Sequence, residues 1–251
     1  MNRSTDGSAD PILPDSELDA RDRAFAHRIR DFAREELLPH ARAIDEEERF
    51  RPEMVDGLAA AGILGGPIAR DHGGGGWSAF ELALPHEEIG AVCGNARGFL
   101  AVHTGLVSQC LERNGSDTQK SEILPALVAG RKIGCFGLTE EEAGSDIGAM
   151  ATTATEVDGG FVLRGRKIWI TNGGIADVAL VFANADPARG KDGITAFLID
   201  TSSPGLRRTK MPGRELGHRG SDHAQLEFEG VFVPVDRVVG QCVDVFHKNP
   251  A

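Results

Sequence analysis

No stretch of this sequence approaches the ~18 to 20 consecutive apolar residues of a membrane-crossing helix, so no membrane span is expected. Residues 1–16 are polar and lack a basic start followed by an apolar core, which argues against a secretory signal. Cysteine is scarce. Cys93, Cys110, Cys135 and Cys242 show no metal-type spacing and read as reduced, buried thiols of a cytoplasmic protein, so no metal is expected. Positive charge is in deficit: 27 Lys and Arg against 38 Asp and Glu leave a formal net charge of −11. That balance disfavours nucleic acid and anionic membranes as partners. It does not exclude an anionic small ligand, because local donors decide that. Internal repeats and low-complexity tracts are also missing. What remains is an ordinary globular composition, 41% hydrophobic and 26% charged, in a chain of 251 residues. That length holds one large or two modest domains.

The hydrophobic period changes partway along the chain. Phe25, Ile29, Phe32, Ala33 and Leu37 share a helical face, which Pro39 is expected to kink or end. Pro52 opens a second helix through Met54, Val55 and Leu58, closing near Gly62. Residues 65–76 form a glycine-rich loop in which His72 reads as solvated. Ser78 with Glu81, and Ser116 with Gln119, are capping boxes that start further helices. Residues 95–111 between them are apolar at helical spacing, and the last helix stops at Gly130. The pattern predicts a tail over 1–16 and an all-α domain of five or six helices over 17–130. From 131 to 240 the period is alternating and predicts a β-domain, with strands over 178–183, 193–200 and 224–228. Residues 241–251 read as a second tail.

The stretch from 133 to 174 is the most informative. Residues 133–138 read as a strand, broken by Thr139 and three glutamates, Glu140, Glu141 and Glu142. Ala143-Gly144-Ser145-Asp146 is a turn of small side chains where a ligand can approach bare backbone N–H groups. A hairpin follows, with strands over 152–157 and 161–163 about a turn at Asp158-Gly159-Gly160. A separate strand over 167–171 ends at Asn172-Gly173-Gly174. The hydroxyls of Thr139, Ser145 and Thr171 thus lie near strand ends, with the indole of Trp169 among them. Such a set suits a flat heteroaromatic ligand with an apolar face and polar edges.

These motifs resemble the flavin-binding signature of the acyl-CoA dehydrogenase family. They are Phe136, Thr139-Glu140, Ala143-Gly144-Ser145-Asp146 and Trp169-Ile170-Thr171-Asn172-Gly173, two blocks in the family's order and spacing. Glu141 departs from the pattern, standing where the family usually has proline. The resemblance implies an α+β protein: an N-terminal all-α helical domain followed by an antiparallel β-barrel-like middle domain. It implies FAD as cofactor and an acyl-CoA or acyl-carrier-protein thioester as substrate, oxidised to its 2,3-enoyl form. In that reaction a carboxylate removes the α-proton while the β-hydrogen leaves as hydride to the flavin.

The resemblance also implies roles. Thr139 would hydrogen-bond the flavin's pyrimidine edge, and Phe136 and Leu138 would line the acyl and flavin channel. Ser145 would contact the pantetheine arm or the cofactor's phosphate region, with Gly144 beside it also cofactor-binding. Trp169 would pack on the isoalloxazine and Thr171 would bond near its N5, with Ile170 between them also cofactor-binding. Asp222 would contact the coenzyme's distal part, or else only cap a turn; a neighbouring position that is basic in the family is Ala224 here. Arg97 aligns with an arginine that glutaryl-type dehydrogenases use for a distal carboxylate, although a solvent-facing arginine is the plainer reading. Ala101-Val102-His103-Thr104 resembles the branch acting on carrier-bound polyketide extender units.

The resemblance spans roughly residues 17–240, whereas the family continues into a helical bundle of ~150 residues. The expectation is of a chain truncated before that bundle, holding no catalytic residue, because the base and the adenine-gripping loops come from the bundle and from a neighbouring subunit. A partner polypeptide supplying the bundle, and an oligomer, follow from this. The three consecutive glutamates are rejected as substitute bases, since a charged loop run is ordinarily a solvated face. The alternative is a non-catalytic subunit that binds flavin, acyl thioester or a partner.

Overall fold

In a computed structural model, residues 15–211 and 215–240 are described. The expected tail at 241–251 lies outside them, as do residues 1–14 of the other. Residues 15 and 16 begin a 3-10 turn, Asp15–Glu17, whose Asp15 carboxylate accepts hydrogen bonds from Arg30 and His27. Those donors hold the Asp15 carboxyl down at about 2.

The helical part contains five continuous helical stretches among the described residues. The first runs through α1 (Ala20–Phe32), a π-helical segment (Ala33–Leu37) and α2 (Leu38–Glu47). Pro39 therefore neither ends nor breaks it. The wider π turn, in which the Leu38 N–H reaches back to the Ala33 carbonyl, makes room where the proline lacks a donor. α3 (Glu53–Ala60) follows Pro52 as expected. α4 (Ala79–Val92) and α7 (Asp117–Val128) both begin with complete capping boxes, at Ser78 and Ser116. Between them α5 (Gly94–Leu100), a π segment (Ala101–Ser108) and α6 (Gln109–Asn114) form one rod.

Among the described residues the sheet has eight strands: β1 (Gly134–Gly137), β2 (Thr153–Val157), β3 (Gly160–Thr171), β4 (Val178–Asn184), β5 (Ile194–Asp200), β6 (Leu206–Lys210), β7 (His223–Pro234) and β8 (Val238–Val239). Its order is β6-β7-β3-β2-β4-β5-β8, with β1 on the free edge of β4. Most neighbouring strands pair antiparallel, as expected, and the sheet is mixed because β1 and β2 each pair with β4 in parallel. β1 enters from the helical part and runs parallel to β4, because the β2–β3 hairpin carries the chain back between them. Two further differences have simple causes. The short strands expected at 161–163 and 167–171 are one bulged strand, β3, since pairing with β7 continues across two register shifts. β6 carries no apolar alternation because it is a polar edge strand on β7.

β4 joins the two parts. All seven of its residues are buried. Val178, Leu180 and Phe182 face a core shared with Val107, Leu111, Leu124 and Leu127 of the helices. Ala179, Val181 and Ala183 face a second core with Leu163, Phe197, Leu226 and Val231 inside the curled sheet. A strand covered on both faces reads as a continuous apolar run, as this one does.

His103 fixes the join. Its ring is fully buried, with Nε2 3.1 Å from the Leu127 carbonyl and Nδ1 accepting from the Gly134 N–H at 3.1 Å. Both bonds suit a neutral imidazole protonated on Nε2. Burial pushes its pKa from 6.5 down to about 4, against the pull of the Leu127 carbonyl. The unfolded chain therefore binds the extra proton first, so stability is full above 6.5 and falls as pH drops toward 4. The loss across that window is ~3 kcal/mol. Urea midpoints measured through the window for the native chain and for His103→Gln should show the steeper decline in the native chain. Parallel declines would remove His103 from this account.

Candidate functional site

The loop leaving β1 is held by a buried charge pair. Lys167, inward on β3, places Nζ 2.6 Å from Glu140 Oε1 and 3.0 Å from the Leu138 carbonyl. The other donors to the Glu140 carboxylate are the backbone N–H groups of Ala151, at 2.7 Å, and Thr152, at 3.0 Å. Burial disfavours both charges. Lys167 and the two N–H groups nevertheless hold Glu140 below the usual carboxylate range, while burial lowers the Lys167 ammonium despite its partner. With three donors on the carboxylate, we take the pair as ionised. Glu140 is thus committed to the loop. Glu141 reaches outward to Arg166 at 2.6 Å, and Asp146 caps the Gly148 N–H.

This clamp sets Thr139 beside the end of β3, where the Ile168 N–H donates to the Thr139 carbonyl at 2.9 Å. The next residue, Trp169, occupies the bulge between the Lys167 and Ile170 pairings. Its φ is 57°, in the left-handed region that a bulky residue rarely enters, and its side chain is 48% exposed. The Trp169 N–H turns to Met211 Sδ at 3.0 Å. A large indole held out of the core at a strained position is a feature that clusters at functional sites. Ile170 points the other way, into the sheet's core. Thr171 is half-buried, its Oγ1 3.1 Å from Nδ1 of His223, its register partner on β7. Asn172, also left-handed at φ 65°, is buried and donates to the Gly134 carbonyl.

Gly144 and Ser145 are exposed, and a Cβ on Gly144 would meet nothing within 4 Å, so the space beside this turn is open. Phe136 and Leu138 are half-buried against the shared core, alongside Val102, Cys110 and Ile147, and Phe136 also packs on Phe182 at 4.9 Å between ring centroids. The structure thus brings Thr139, Trp169 and Thr171 to one end of the sheet, with Phe136 and Leu138 on the same loop and strand.

Asp222 lies near Gly174, where a Cβ would come within 2.2 Å of its Oδ2. That oxygen is buried without a hydrogen-bond partner. Arg97 is exposed on α5, its stem beside Gly90 of α4, whereas Gly94 and Gly98 of the same helix face Gly217 and His218. The side chains of His103 and Thr104 turn inward, Thr104 Oγ1 donating to the Leu64 carbonyl at 2.9 Å. His72 is paired with Glu112 at 3.0 Å rather than free in solvent. Sequence reasoning missed Lys167, Met211 and His223. Only the first left a trace, as a lysine at an inward position of an alternating strand.

Comparison with known proteins gives consistent results. Residues 19–131 match the model of the acyl-CoA dehydrogenase N-terminal domain, and residues 135–231 that of the acyl-CoA dehydrogenase middle domain. A short-chain-specific acyl-CoA dehydrogenase of Clostridium acetobutylicum is 38% identical over 213 residues, covering 85% of this chain and 56% of that protein. A glutaryl-CoA dehydrogenase from Mycobacterium smegmatis, solved in complex with FADH2, superposes with a TM-score of 0.83 at 35% identity, over 88% of this chain and 55% of that one. The prolyl acyl carrier protein oxidase AnaB gives 0.82 at 30% identity, over 89% and 60%. The chain therefore spans a little over half the length of these relatives.

Removing one member of the buried pair should be far worse than removing both. Lys167→Met leaves the Glu140 charge uncompensated, at a cost of about 3–5 kcal/mol. Adding Glu140→Gln should recover part of that loss. Urea denaturation of the two variants decides it, and a Lys167→Met chain as stable as the native one would refute the pairing.

Proposed function

Because the chain belongs to the acyl-CoA dehydrogenase family, we propose that these residues form the flavin-facing and thioester-facing part of an enzyme that desaturates an acyl thioester between its α and β carbons. The observation that carries this is Trp169, held left-handed and exposed at the end of β3 between Thr139 and Thr171. A planar ring stacked there would cover the indole, and hydroxyls on both sides would meet its polar edge. The open space beside Gly144 and Ser145 leaves room for the rest of such a ligand. The residues thus fit FAD, which two of the solved relatives, the glutaryl-CoA dehydrogenase and PigA, hold as FADH2 or FAD. When bound, the flavin supplies the electron sink for the β-hydrogen.

The chain's own residues would do the holding. Thr139 and Thr171 hydrogen-bond the ring, and Trp169 packs on its face. Ile170 acts from behind as part of the sheet's core. Phe136 and Leu138 wall the acyl side, with Gly144 and Ser145 toward the pantetheine or phosphate groups. Asp222 and Arg97 remain candidate contacts for the distal coenzyme and for a second carboxylate on the acyl chain. Acyl-CoA and acyl-carrier-protein substrates both fit this frame, since the relatives include enzymes named for each.

The α-proton needs a base, and the carboxylates of the flavin loop with described partners are committed elsewhere. Glu140 is paired with Lys167, Glu141 with Arg166, and Asp146 with a backbone N–H. The orphan oxygen of Asp222 is buried against Gly174 rather than open to a substrate. Glu142 is an exposed member of the same charged run, and the family resemblance puts the base elsewhere, so we propose that it comes from a helical segment beyond the described residues, of this or another polypeptide in an oligomer. The same observation supports the second reading, a flavin-binding subunit without chemistry of its own. Free thiols at Cys93, Cys110 and Cys135 suit a reducing compartment such as the cytoplasm, and among the described residues no helix is long and apolar enough to cross a membrane.

Two measurements test this. FAD titration should show binding by these 251 residues that Trp169→Ala weakens by removing the packed face and Thr171→Ala by removing a hydrogen bond, a loss on the order of 1–3 kcal/mol for a buried group. Tight binding indifferent to both substitutions would sink the site. With an acyl-CoA thioester the same protein should bleach its flavin negligibly, since a general base is worth roughly 10² to 10⁴ in rate. Bleaching at the rate of the full-length relatives would reveal a base within these residues.

A further inference from the structure

We propose that His223 decides which way the Thr171 hydroxyl points its single proton, and so makes the binding of an oxidised flavin at the end of β3 depend on pH. This rests on the reading above, in which Thr171 faces the ring. The geometry is a register pair: Thr171 on β3 stands opposite His223 on β7, with Oγ1 and Nδ1 3.1 Å apart. Trp169, two residues before Thr171, is the exposed and strained indole. His223 therefore sits directly behind the hydroxyl that the ligand would meet.

A hydroxyl has one proton and two lone pairs. When His223 is neutral with a bare Nδ1, that nitrogen accepts the Thr171 proton, and the hydroxyl can offer a ligand only lone pairs. When the ring is protonated, Nδ1–H donates to Oγ1, and the Thr171 proton is free to go outward. An oxidised isoalloxazine presents acceptors along its polar edge, bare ring nitrogens and carbonyl oxygens. It therefore gains a hydrogen bond from the second arrangement and meets lone-pair repulsion in the first.

His223 is surrounded by charges of both signs. Glu215, His218 and Asp222 lie in the preceding loop, and the His218 ring centroid is 6.3 Å away. On β6, Lys210 pairs with Ala224 and Arg208 with Leu226, and the Arg208 guanidinium is engaged by the carbonyls of Gly173, Gly174 and Ala176. Burial first, then His218, lowers the His223 pKa below 6.5, and the carboxylates of Glu215 and Asp222 oppose this without reversing it. At neutral pH the ring is thus mostly uncharged, and in the tautomer with a bare Nδ1 the hydroxyl is turned inward. By linkage, a flavin that prefers the protonated form binds more tightly as pH falls and raises the His223 pKa when bound.

The test is FAD binding by fluorescence quenching between about pH 8 and about pH 5.5, for the native chain, Thr171→Val and His223→Gln. NMR titration of the His223 imidazole, with and without FAD, gives a second readout that needs no turnover. In the native chain affinity should rise roughly threefold to tenfold as pH falls, the worth of one net hydrogen bond. Both variants should lose that slope, and FAD should move the imidazole midpoint upward. A flat native profile, as the Nδ1–H neutral tautomer would produce, overturns the proposal, as does one slope shared by all three proteins. No FAD binding by the native chain at any pH would instead overturn the flavin reading on which it stands.

Discussion

A charge buried in a protein must find a partner or be neutralised, and the candidate site of this chain is arranged around one that found its partner. Lys167 carries an ammonium into the interior of the curled sheet, where Glu140 meets it at 2.6 Å. Because the Glu140 carboxylate also takes the N–H groups of Ala151 and Thr152, one side chain ties three pieces of chain together: the exit of β1, the start of β2 and the middle of β3. The path of the intervening loop follows from that. Thr139 is left against Ile168, Ala143 is tucked inward, and the rest of the small-residue turn, 144–146, is exposed. Such a pair contributes little net stability over an apolar substitute, but it permits few alternative arrangements of the loop.

A second constraint joins the sheet to the helices. Gly134 is gripped from both sides, its N–H by His103 and its carbonyl by Asn172. A side chain at Gly134 would come within 2.8 Å of Val107, so only glycine lets the rod of helix approach β1 this closely. The same contact places the half-buried stretch of that rod, Val102 and Cys110, next to Phe136 and Leu138. The wall of the site and the join between the two parts are thus one packing arrangement, and the sharp turn at Asn172 that closes β3 belongs to it. His103 and Thr104, polar residues in an apolar helix, turn inward to bond backbone groups: His103 accepts the Gly134 N–H at the join, and Thr104 donates to the Leu64 carbonyl within the helical part.

Much of this was legible in the sequence, and for local reasons. The capping boxes at Ser78 and Ser116, the stop at Gly130 and the change from helical to alternating period each depend on residues a few positions apart. The motif residues Thr139, Trp169 and Thr171 could likewise be named as a group from their spacing. Where the reading went astray, the deciding contact was distant. β6 has no pattern of its own and exists because β7 offers it an edge. His72 looked solvated until Glu112, forty positions on, was brought to it.

The sequence by itself determined the order of elements, the two halves and the candidate motif, because hydrophobic period, capping and turn chemistry act over one or two turns of chain. Only the tertiary structure decided that Trp169 is exposed and left-handed, that Lys167 is buried, and that His223 stands opposite Thr171. Each of these depends on strand register. A bulge of one residue between Lys167 and Ile170 turns the indole outward, and the pairing of β3 with β7 sets which side chain meets the Thr171 hydroxyl. Register is fixed by the packing of both sheet faces and by pairs far apart in the chain, and no local propensity encodes it.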